Sequence, residues 1–221
     1  GSFVCIQGIQ AVAATTANDY AYTIKAIVGN GDPSTLAVNK AALEAGIGYP
    51  YGIAQSKNGD LYIASFSNNV VLKVEFNKND GTSLVKIIAG TGSLGRGDEN
   101  MPATQSALND PMTITLIEDM NGEVTAMLIA DASNHRVRKM DMASGIINTI
   151  AGKSGGQKVD GIQATEFGLN GPYYAYYDKS TENIFIAETF GNKIRRVNAK
   201  DGTITTVAGT CTVSGGSNGD G

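Results

Sequence analysis

Residues 129–139 read Ile129-Ala-Asp-Ala-Ser-Asn-His-Arg-Val-Arg-Lys139: an apolar run that ends on an acid, then a turn, then a basic alternating strand. The same order recurs on both sides of this stretch. The apolar run closes on a small or acidic residue at Tyr62-Ile-Ala-Ser65 and at Phe185-Ile-Ala-Glu188. The strand that follows reads Val70-Val-Leu-Lys-Val74 and Lys193-Ile-Arg-Arg-Val197. The chain is therefore an internal repeat.

Two further landmarks give the repeat its period. Each unit ends on a glycine, and the four marker glycines are spaced 61, 62 and 57 residues apart: Gly29, Gly90, Gly152 and Gly209. A proline opens the first strand of each unit, at Pro50, Pro111 and Pro172, with both steps equal to 61. Landmarks in a fixed order across three units do not arise by chance.

Each unit contains four short segments of β character separated by turn residues such as Asn-Gly and Asp-Gly. Such a sheet has two faces and must stack on neighbouring sheets to bury both, as the blades of a β-propeller do. The strands are predicted at 50–55, 61–65, 70–76 and 83–89 in the first unit, at 111–118, 125–130, 136–142 and 145–151 in the second, and at 172–178, 183–187, 193–199 and 202–208 in the third.

A Gly-rich link, such as residues 90–110, joins each unit to the next and holds a small apolar cluster. We expect a helical turn in each link to place Leu43, Leu108 or Leu169 against a blade.

The pattern resembles the NHL-repeat β-propellers. The segments that carry the resemblance are Ile88-Ala-Gly-Thr-Gly92, Pro102-Ala-Thr104 with Leu108 and Pro111, and above all residues 129–139. It covers residues 22–221 and implies an all-β propeller of four-stranded blades. The first blade departs from the pattern, because Ser65 replaces the acidic residue and Val70 and Leu72 replace the basic pair.

Three full blades are expected, each with its link, at 30–90, 91–152 and 153–209. Residues 1–29 are predicted to supply strands of a preceding or neighbouring blade, and 210–221 a truncated link to a further one. Propellers close with about four to eight blades, so the ring is expected to be incomplete in one chain. Either the residues belong to a longer propeller, or copies join into a ring of 3 + 3 blades or an open filament.

Composition narrows the functional classes. The 221 residues are 42% hydrophobic and 17% charged, and 28 are glycine, which fits a turn-rich globular protein. The net charge of −4 provides no positive field for phosphate backbones, so nucleic-acid binding is not expected. No apolar run reaches the ~18 residues of a membrane-spanning helix, so no membrane span is expected.

Cys5 and Cys211 are the only cysteines, which excludes a zinc ribbon or a Cys-x-x-Cys redox motif. They either form one disulfide that ties the termini together or remain unpaired thiols. His135 is the only histidine, too few for a His-based zinc enzyme, and it takes the turn position that Asn69 and Asn192 hold in the other units.

Asp131 and Glu188 close the second strand of their units. They are candidates to hold a hard cation such as calcium, but acceptance of backbone hydrogen bonds in the following turn is the preferred interpretation, and no cofactor is expected. The basic strands are candidates for anion or RNA binding; in an acidic chain, exposed strands with interblade ion pairs are preferred. Their residues are Arg136, Arg138, Lys139, Lys193, Arg195 and Arg196.

These features favour a non-enzymatic, extracellular or cell-surface scaffold for binding and assembly. Its partners would be proteins, either copies of itself or further blades of the same parent chain. Two alternatives stay open: a propeller enzyme of lyase or hydrolase type, with an acidic axial site at Asp131 and Glu188, and an RNA-binding module.

Overall fold

The computed structural model describes residues 7–13, 20–32, 36–77 and 79–209, with side chains from Ala26 onward. Cys5 and Cys211 lie outside these ranges, so the disulfide stays a prediction. The first two strands, β1 (Gln7–Ala13) and β2 (Tyr20–Ala26), pair antiparallel as a two-stranded sheet.

Three antiparallel meanders follow in chain order. Sheet 1 contains β3 (Pro50–Gln55), β4 (Leu61–Ser65), β5 (Val70–Phe76) and β6 (Ser83–Ala89). Sheet 2 contains β8 (Pro111–Glu118), β9 (Val124–Asp131), β10 (Arg136–Asp141) and β11 (Ile146–Ala151), and the two-residue β7 (Met101–Pro102) pairs with β11. Sheet 3 contains β12 (Pro172–Tyr177), β13 (Ile184–Glu188), β14 (Lys193–Val197) and β15 (Ile204–Ala208). All twelve predicted strands are present, and those of sheet 1 have the predicted bounds.

The three sheets stack through their first strands. Thr113 and Thr115 of β8 donate hydrogen bonds to the carbonyl oxygens of Tyr173 and Ala175 of β12, at 2.7 and 2.5 Å. On the other side of β8, Gly52 of β3 comes so close that a Cβ atom at this residue would stand 2.7 Å from the Met112 carbonyl oxygen. We call the contact of sheets 1 and 2 the first junction and that of sheets 2 and 3 the second.

Links 1 (29–49), 2 (90–110) and 3 (152–171) precede the three sheets. Each contains a short 3-10 helix: Ala42–Glu44, Ala103–Gln105 and Ala164–Glu166. The marker glycine at the start of each link donates its N–H to the carbonyl oxygen of the first helical alanine, at 2.8 to 2.9 Å, from Gly29, Gly90 and Gly152. The links are therefore anchored in the same way three times.

The core lies between the sheets. Leu108 packs at the first junction, against Ala64, Val71 and Ala89 of sheet 1, and Leu169 packs at the second, as predicted. The prediction for Leu43 is wrong, because its side chain is 55% exposed. Ile47 takes the place of Leu108 and Leu169 in link 1 and is buried with Ala42 and Ala45, because it stands 61 residues before Leu108 and, like it, five residues after the first helical alanine.

No helix in the described ranges is long and apolar enough to cross a membrane.

Candidate functional site

Asp131 and Glu188 hold the start of the first strand of their own sheets. Asp131 Oδ1 accepts the backbone N–H of Asn109 at 2.8 Å, and Glu188 Oε1 accepts that of Asn170 at 2.7 Å. These donors stand two residues before Pro111 and Pro172, so they precede the acids in the chain and do not lie in the following turn. A buried carboxylate that accepts a backbone N–H satisfies a donor that has lost its water.

In sheet 1 the start of the first strand is held by hydrogen bonds that involve no acid. The backbone N–H of Gly48 donates to Asn68 Oδ1 at 2.6 Å, and the Ser65 hydroxyl donates to the Gly48 carbonyl oxygen at 2.9 Å. The acid position is therefore a structural anchor in all three sheets, and Ser65 with Asn68 replaces the carboxylate in sheet 1.

Each buried acid is paired with a buried arginine. Asp131 Oδ2 lies 3.2 Å from Arg136, and Glu188 Oε2 lies 2.7 Å from Nε of Arg195. Burial raises the pKa of Asp131, and hydrogen bonds from Asn109 and Asn134 and the charge of Arg136 oppose that rise. Protein donors occupy these carboxylate oxygens, so the geometry adds no support to the cation prediction. Within the described ranges, no group of three or more His, Cys, Asp or Glu side chains could hold a metal ion.

In sheets 2 and 3 a second carboxylate reaches the sheet from its link. Glu99 of link 2 accepts the N–H and the hydroxyl of Thr149, at 2.6 and 2.7 Å, and pairs with Arg136. Asp160 of link 3 accepts the N–H and hydroxyl of Thr206 and pairs with Arg195. The ion pairs therefore join a sheet to its own link.

The expectation of exposed basic strands is wrong for three residues. Arg136, Arg138 and Arg195 are buried, because their guanidinium groups point into the space between sheet and link. Burial and the charge of Arg136 lower the pKa of Arg138. These three arginines are not available to a phosphate backbone, which removes the main feature that favoured RNA binding. Lys139 is exposed, and Lys193 and Arg196 are half-buried.

Asn69, His135 and Asn192 have left-handed backbone conformations, with φ of 54°, 56° and 51°. The first two side chains connect one sheet to the next. Asn69 Oδ1 accepts the backbone N–H of Asp110 at 3.0 Å, and His135 Nδ1 accepts that of Gly171 at 3.3 Å. Both donors stand immediately before the first strand of the following sheet. Asn192 takes the same position in sheet 3, where the described part of the chain contains no following sheet.

One face of sheet 3 has apolar residues at the positions that are buried in sheets 1 and 2 at the two junctions. Val71 and Val137 occupy equivalent positions in sheets 1 and 2 and are both 0% exposed. Their counterpart Ile194 is 38% exposed. Likewise Ala89 and Ala151 are buried, whereas Ala208 is exposed. We call this surface, formed by Ala187, Asn192, Ile194 and Ala208, the open face.

A pocket of about 250 Å³ lies on the open face, with Ala187, Ile194 and Ala208 in its lining. At the first junction the equivalent alanine and valine positions lie in one buried cluster with Leu108 of the next link. At the second junction Phe167 and Leu169 pack in the same cluster as Val137 and Ala151. The pocket therefore has the position and lining of a socket for a large apolar side chain.

A larger polar cavity of about 400 Å³ lies where links 2 and 3 meet. Its lining carries both charge signs, and two of its members, Lys153 and Glu166, form an exposed ion pair. Arg136 and Glu99, which also line it, are already paired. The cavity offers hydrogen-bonding groups without an excess of acids.

Comparison with known proteins shows the fold. No family model matches the chain, and no curated protein sequence matches it. Among solved structures, an auxiliary nutrient binding protein from Bacteroides ovatus matches with a TM-score of 0.58 and 19% identity over 74% of this chain and 38% of its own. A putative phosphatase from Bacteroides thetaiotaomicron has a TM-score of 0.55 and 18% identity over 72% of this chain and 35% of its own.

An auxiliary nutrient binding protein from Bacteroides thetaiotaomicron matches with a TM-score of 0.53 and 19% identity, over 70% of this chain and 36% of its own. The chain thus spans less than two fifths of the length of these three relatives in structure. The neighbours are β-propeller-like, and the chain is an all-β protein of several antiparallel sheets with the same kind of architecture.

Proposed function

We propose that the chain is a segment of an NHL-type β-propeller that acts as a non-enzymatic scaffold for binding and assembly, at the cell surface or outside the cell. Sheets 1 to 3 serve as three consecutive blades. The sequence landmarks of the repeat and the propeller-like neighbours support this assignment. Two of these three neighbours are named as auxiliary nutrient binding proteins and one as a putative phosphatase, and the two binding proteins support a binding role.

The open face is the observation that carries the proposal. Ile194 and Ala208 are exposed at positions that both junctions bury, and burial of apolar surface is worth about 25 cal/mol per Å². Asn192 presents the acceptor that would receive a backbone N–H, as Asn69 and His135 do. A further blade therefore fits this surface in apolar character and hydrogen bonding.

The blade that docks comes either from a second copy of the chain or from further repeats of a longer polypeptide. Sheet 1 offers the complementary surface, since Tyr51 and Ile53 of β3 are exposed while their equivalents Met112 and Ile114 are buried against sheet 1. A head-to-tail contact between copies would thus bring together the same two sheet faces that meet at the junctions within the chain.

The test is the mass of the chain in solution over a wide concentration range, by sedimentation equilibrium. We expect the mass to rise with concentration, and Ile194→Asp to suppress the rise, because a charge would be buried in the socket. Val159→Asp, at an exposed valine of link 3, is the matched control and should leave the association unchanged.

A wild-type chain that stays monomeric throughout contradicts association between copies. A longer chain that carries a further repeat then tests whether the docking blade comes from the same polypeptide. If hydrogen exchange at Ile194 and Ala208 is as fast in the longer chain as in the shorter one, no blade covers the open face and the assembly proposal fails.

A further inference from the structure

The first strands of the three sheets differ at one position that faces the following sheet. Gly52, Thr113 and Tyr174 stand 61 residues apart, at the same place in β3, β8 and β12. At Gly52 the backbone of β8 leaves no room for a Cβ atom, and at Thr113 the hydroxyl reaches the Tyr173 carbonyl oxygen at 2.7 Å. Both junctions therefore require a small residue here, whereas sheet 3 has a tyrosine.

Two residues further along the first strand, a small residue in sheets 1 and 2 is again replaced by a tyrosine in sheet 3. Ala54 packs into the core of the first junction, and Thr115 donates to the Ala175 carbonyl oxygen at 2.5 Å. The equivalent residue in sheet 3 is Tyr176. Tyr174 and Tyr176 are 45% and 50% exposed. A first strand that approached sheet 3 as closely as β12 approaches β8 would collide with both phenol rings, so these rings stay accessible beside any blade that docks on the open face.

The two tyrosines share a face with a further ring and a cation. Residues i and i+2 of a strand point to the same side, roughly 7 Å apart. Phe185 lies directly opposite Tyr176, and Arg196 directly opposite Phe185. Side chains at directly opposed positions stand on the same face. Arg196 is half-buried: within the described ranges its Nε is enclosed without a hydrogen-bond partner, as in Arg136 and Arg138, and its Nη2 donates to the Thr205 hydroxyl at 3.5 Å.

We propose that Tyr174, Tyr176 and Arg196 form a binding site for a planar aromatic ring that carries a carboxylate. Aromatic rings stack on phenol rings in offset or edge-to-face geometry. A guanidinium binds a carboxylate through two parallel hydrogen bonds, which a lysine cannot reproduce. Sheets 1 and 2 have Lys73 and Lys139 where sheet 3 has Arg196, so the arginine and the tyrosines occur together in the same sheet. This site goes beyond the assembly proposed above and does not depend on it.

The test is a titration of the chain with 2-naphthoate, followed by NMR chemical shifts of the tyrosine rings, with 2-naphthamide as the neutral probe. We expect saturable binding of the carboxylate and about tenfold weaker binding of the amide, the factor that corresponds to one strong hydrogen bond. Tyr174→Thr with Tyr176→Thr, which installs the residues of sheet 2, should abolish binding. Arg196→Gln should weaken naphthoate binding to the level of the amide and leave amide binding unchanged, and Arg196→Lys should give an intermediate naphthoate affinity.

Tyr51→Thr is the matched control, because this exposed tyrosine lies at the other end of the molecule, against Phe66. It should leave both affinities unchanged. Equal affinity for the two probes, or equal loss on Tyr51→Thr and on the double variant, would overturn the site. Sedimentation without probe tests the assembly proposal by itself. Failure of the ligand site would therefore change the titration and leave the sedimentation result as it is.

Discussion

The Met112 carbonyl oxygen lies 2.7 Å from the point that a Cβ atom on Gly52 would occupy. The first junction thus brings backbone against backbone at this position, whereas at the second Thr113 carries a Cβ atom and its hydroxyl reaches the Tyr173 carbonyl oxygen at 2.7 Å. The two junctions therefore differ in their local clearance at equivalent positions.

Gly52→Ala should destabilise the fold by about 1–3 kcal/mol, because the added methyl group overpacks the first junction. Denaturant unfolding, with the midpoint and slope both fitted, measures this change. Gln55→Ala serves as the control, since Gln55 is an exposed residue of the same strand and its replacement should stay within about 0.5 kcal/mol. Equal effects of the two substitutions would contradict the close approach of β3 and β8.

Leu108 and Leu43 stand in equivalent links but differ in burial, at 0% and 55% exposed. Leu108→Ala should cost about 2–5 kcal/mol in the free energy of unfolding, since it removes buried methyl groups and leaves a cavity. Leu43→Ala should change it by less than about 0.5 kcal/mol. Thermal and denaturant unfolding of the two variants decides the point, and a large effect at Leu43 would show that link 1 is packed differently.

Stability should fall in acid partly through Glu99. Burial raises its pKa, but hydrogen bonds from Thr149 and the charges of Arg138 and Arg136 outweigh that effect and lower the pKa below its ordinary 4.5. Between the lowered and the ordinary pKa the unfolded chain binds more protons, so this contribution is complete above the ordinary pKa and is lost as the pH falls through the lowered one.

Glu99→Gln should therefore flatten the acid limb of a plot of unfolding free energy against pH, while it lowers stability at pH 7. Glu123→Gln, at an exposed residue of a hairpin turn, is the comparison and should leave the acid limb as it is in the wild type. An acid limb that is equally steep in Glu99→Gln and in the wild type would rule out a role for Glu99 in the acid sensitivity.

The strands were predictable because short-range signals mark them. A proline at the start of the first strand, Asx-Gly turns and the closing glycine recur at nearly constant spacing, so the bounds of β3 to β6 follow from the sequence alone. The left-handed residue after the second strand is marked by Asn69, His135 and Asn192, residue types that tolerate positive φ more readily than most.

The partners of the arginines were not predictable in the same way. Glu99 and Asp160 stand 61 residues apart, which is the repeat period of the links, and they accept from the equivalent residues Thr149 and Thr206. The arginines that they approach most closely, Arg136 and Arg195, nevertheless hold different positions in their strands, so the period does not tell which arginine each carboxylate meets.

The exposure of Leu43 follows from the same period, because Ile47, and not Leu43, stands 61 residues before Leu108 and is buried in its place.

His135→Asn should keep the free energy of unfolding close to that of the wild type, whereas His135→Ala should lower it by about 1 kcal/mol or more. The alanine loses the acceptor for the Gly171 N–H and adopts the left-handed conformation less readily than asparagine. Asparagine occupies the equivalent position in the other two sheets. Denaturant unfolding of both variants tests this, and equal losses would mean that His135 acts through its ring and not as a hydrogen-bond acceptor.

Arg195→Leu should be among the most destabilising single substitutions in sheet 3. It leaves the carboxylate of Glu188, which is 2% exposed, without the guanidinium 2.7 Å away. Removal of one partner of a buried ion pair costs about 3–5 kcal/mol, because the remaining charge stays in a medium that solvates it poorly. Leu72 occupies the equivalent position in sheet 1 without such a cost, since sheet 1 has no acid there.

The matched variant converts sheet 3 to the arrangement of sheet 1. Glu188→Ser and Gly191→Asn, added to Arg195→Leu, supply the serine and asparagine that anchor Gly48 in sheet 1 and remove the unpaired acid. The triple variant should therefore be more stable than Arg195→Leu alone, although it carries more substitutions, and the difference measures the coupling of these neighbouring residues. Free energies of unfolding additive across the three sites would show that the acid and the arginine act independently.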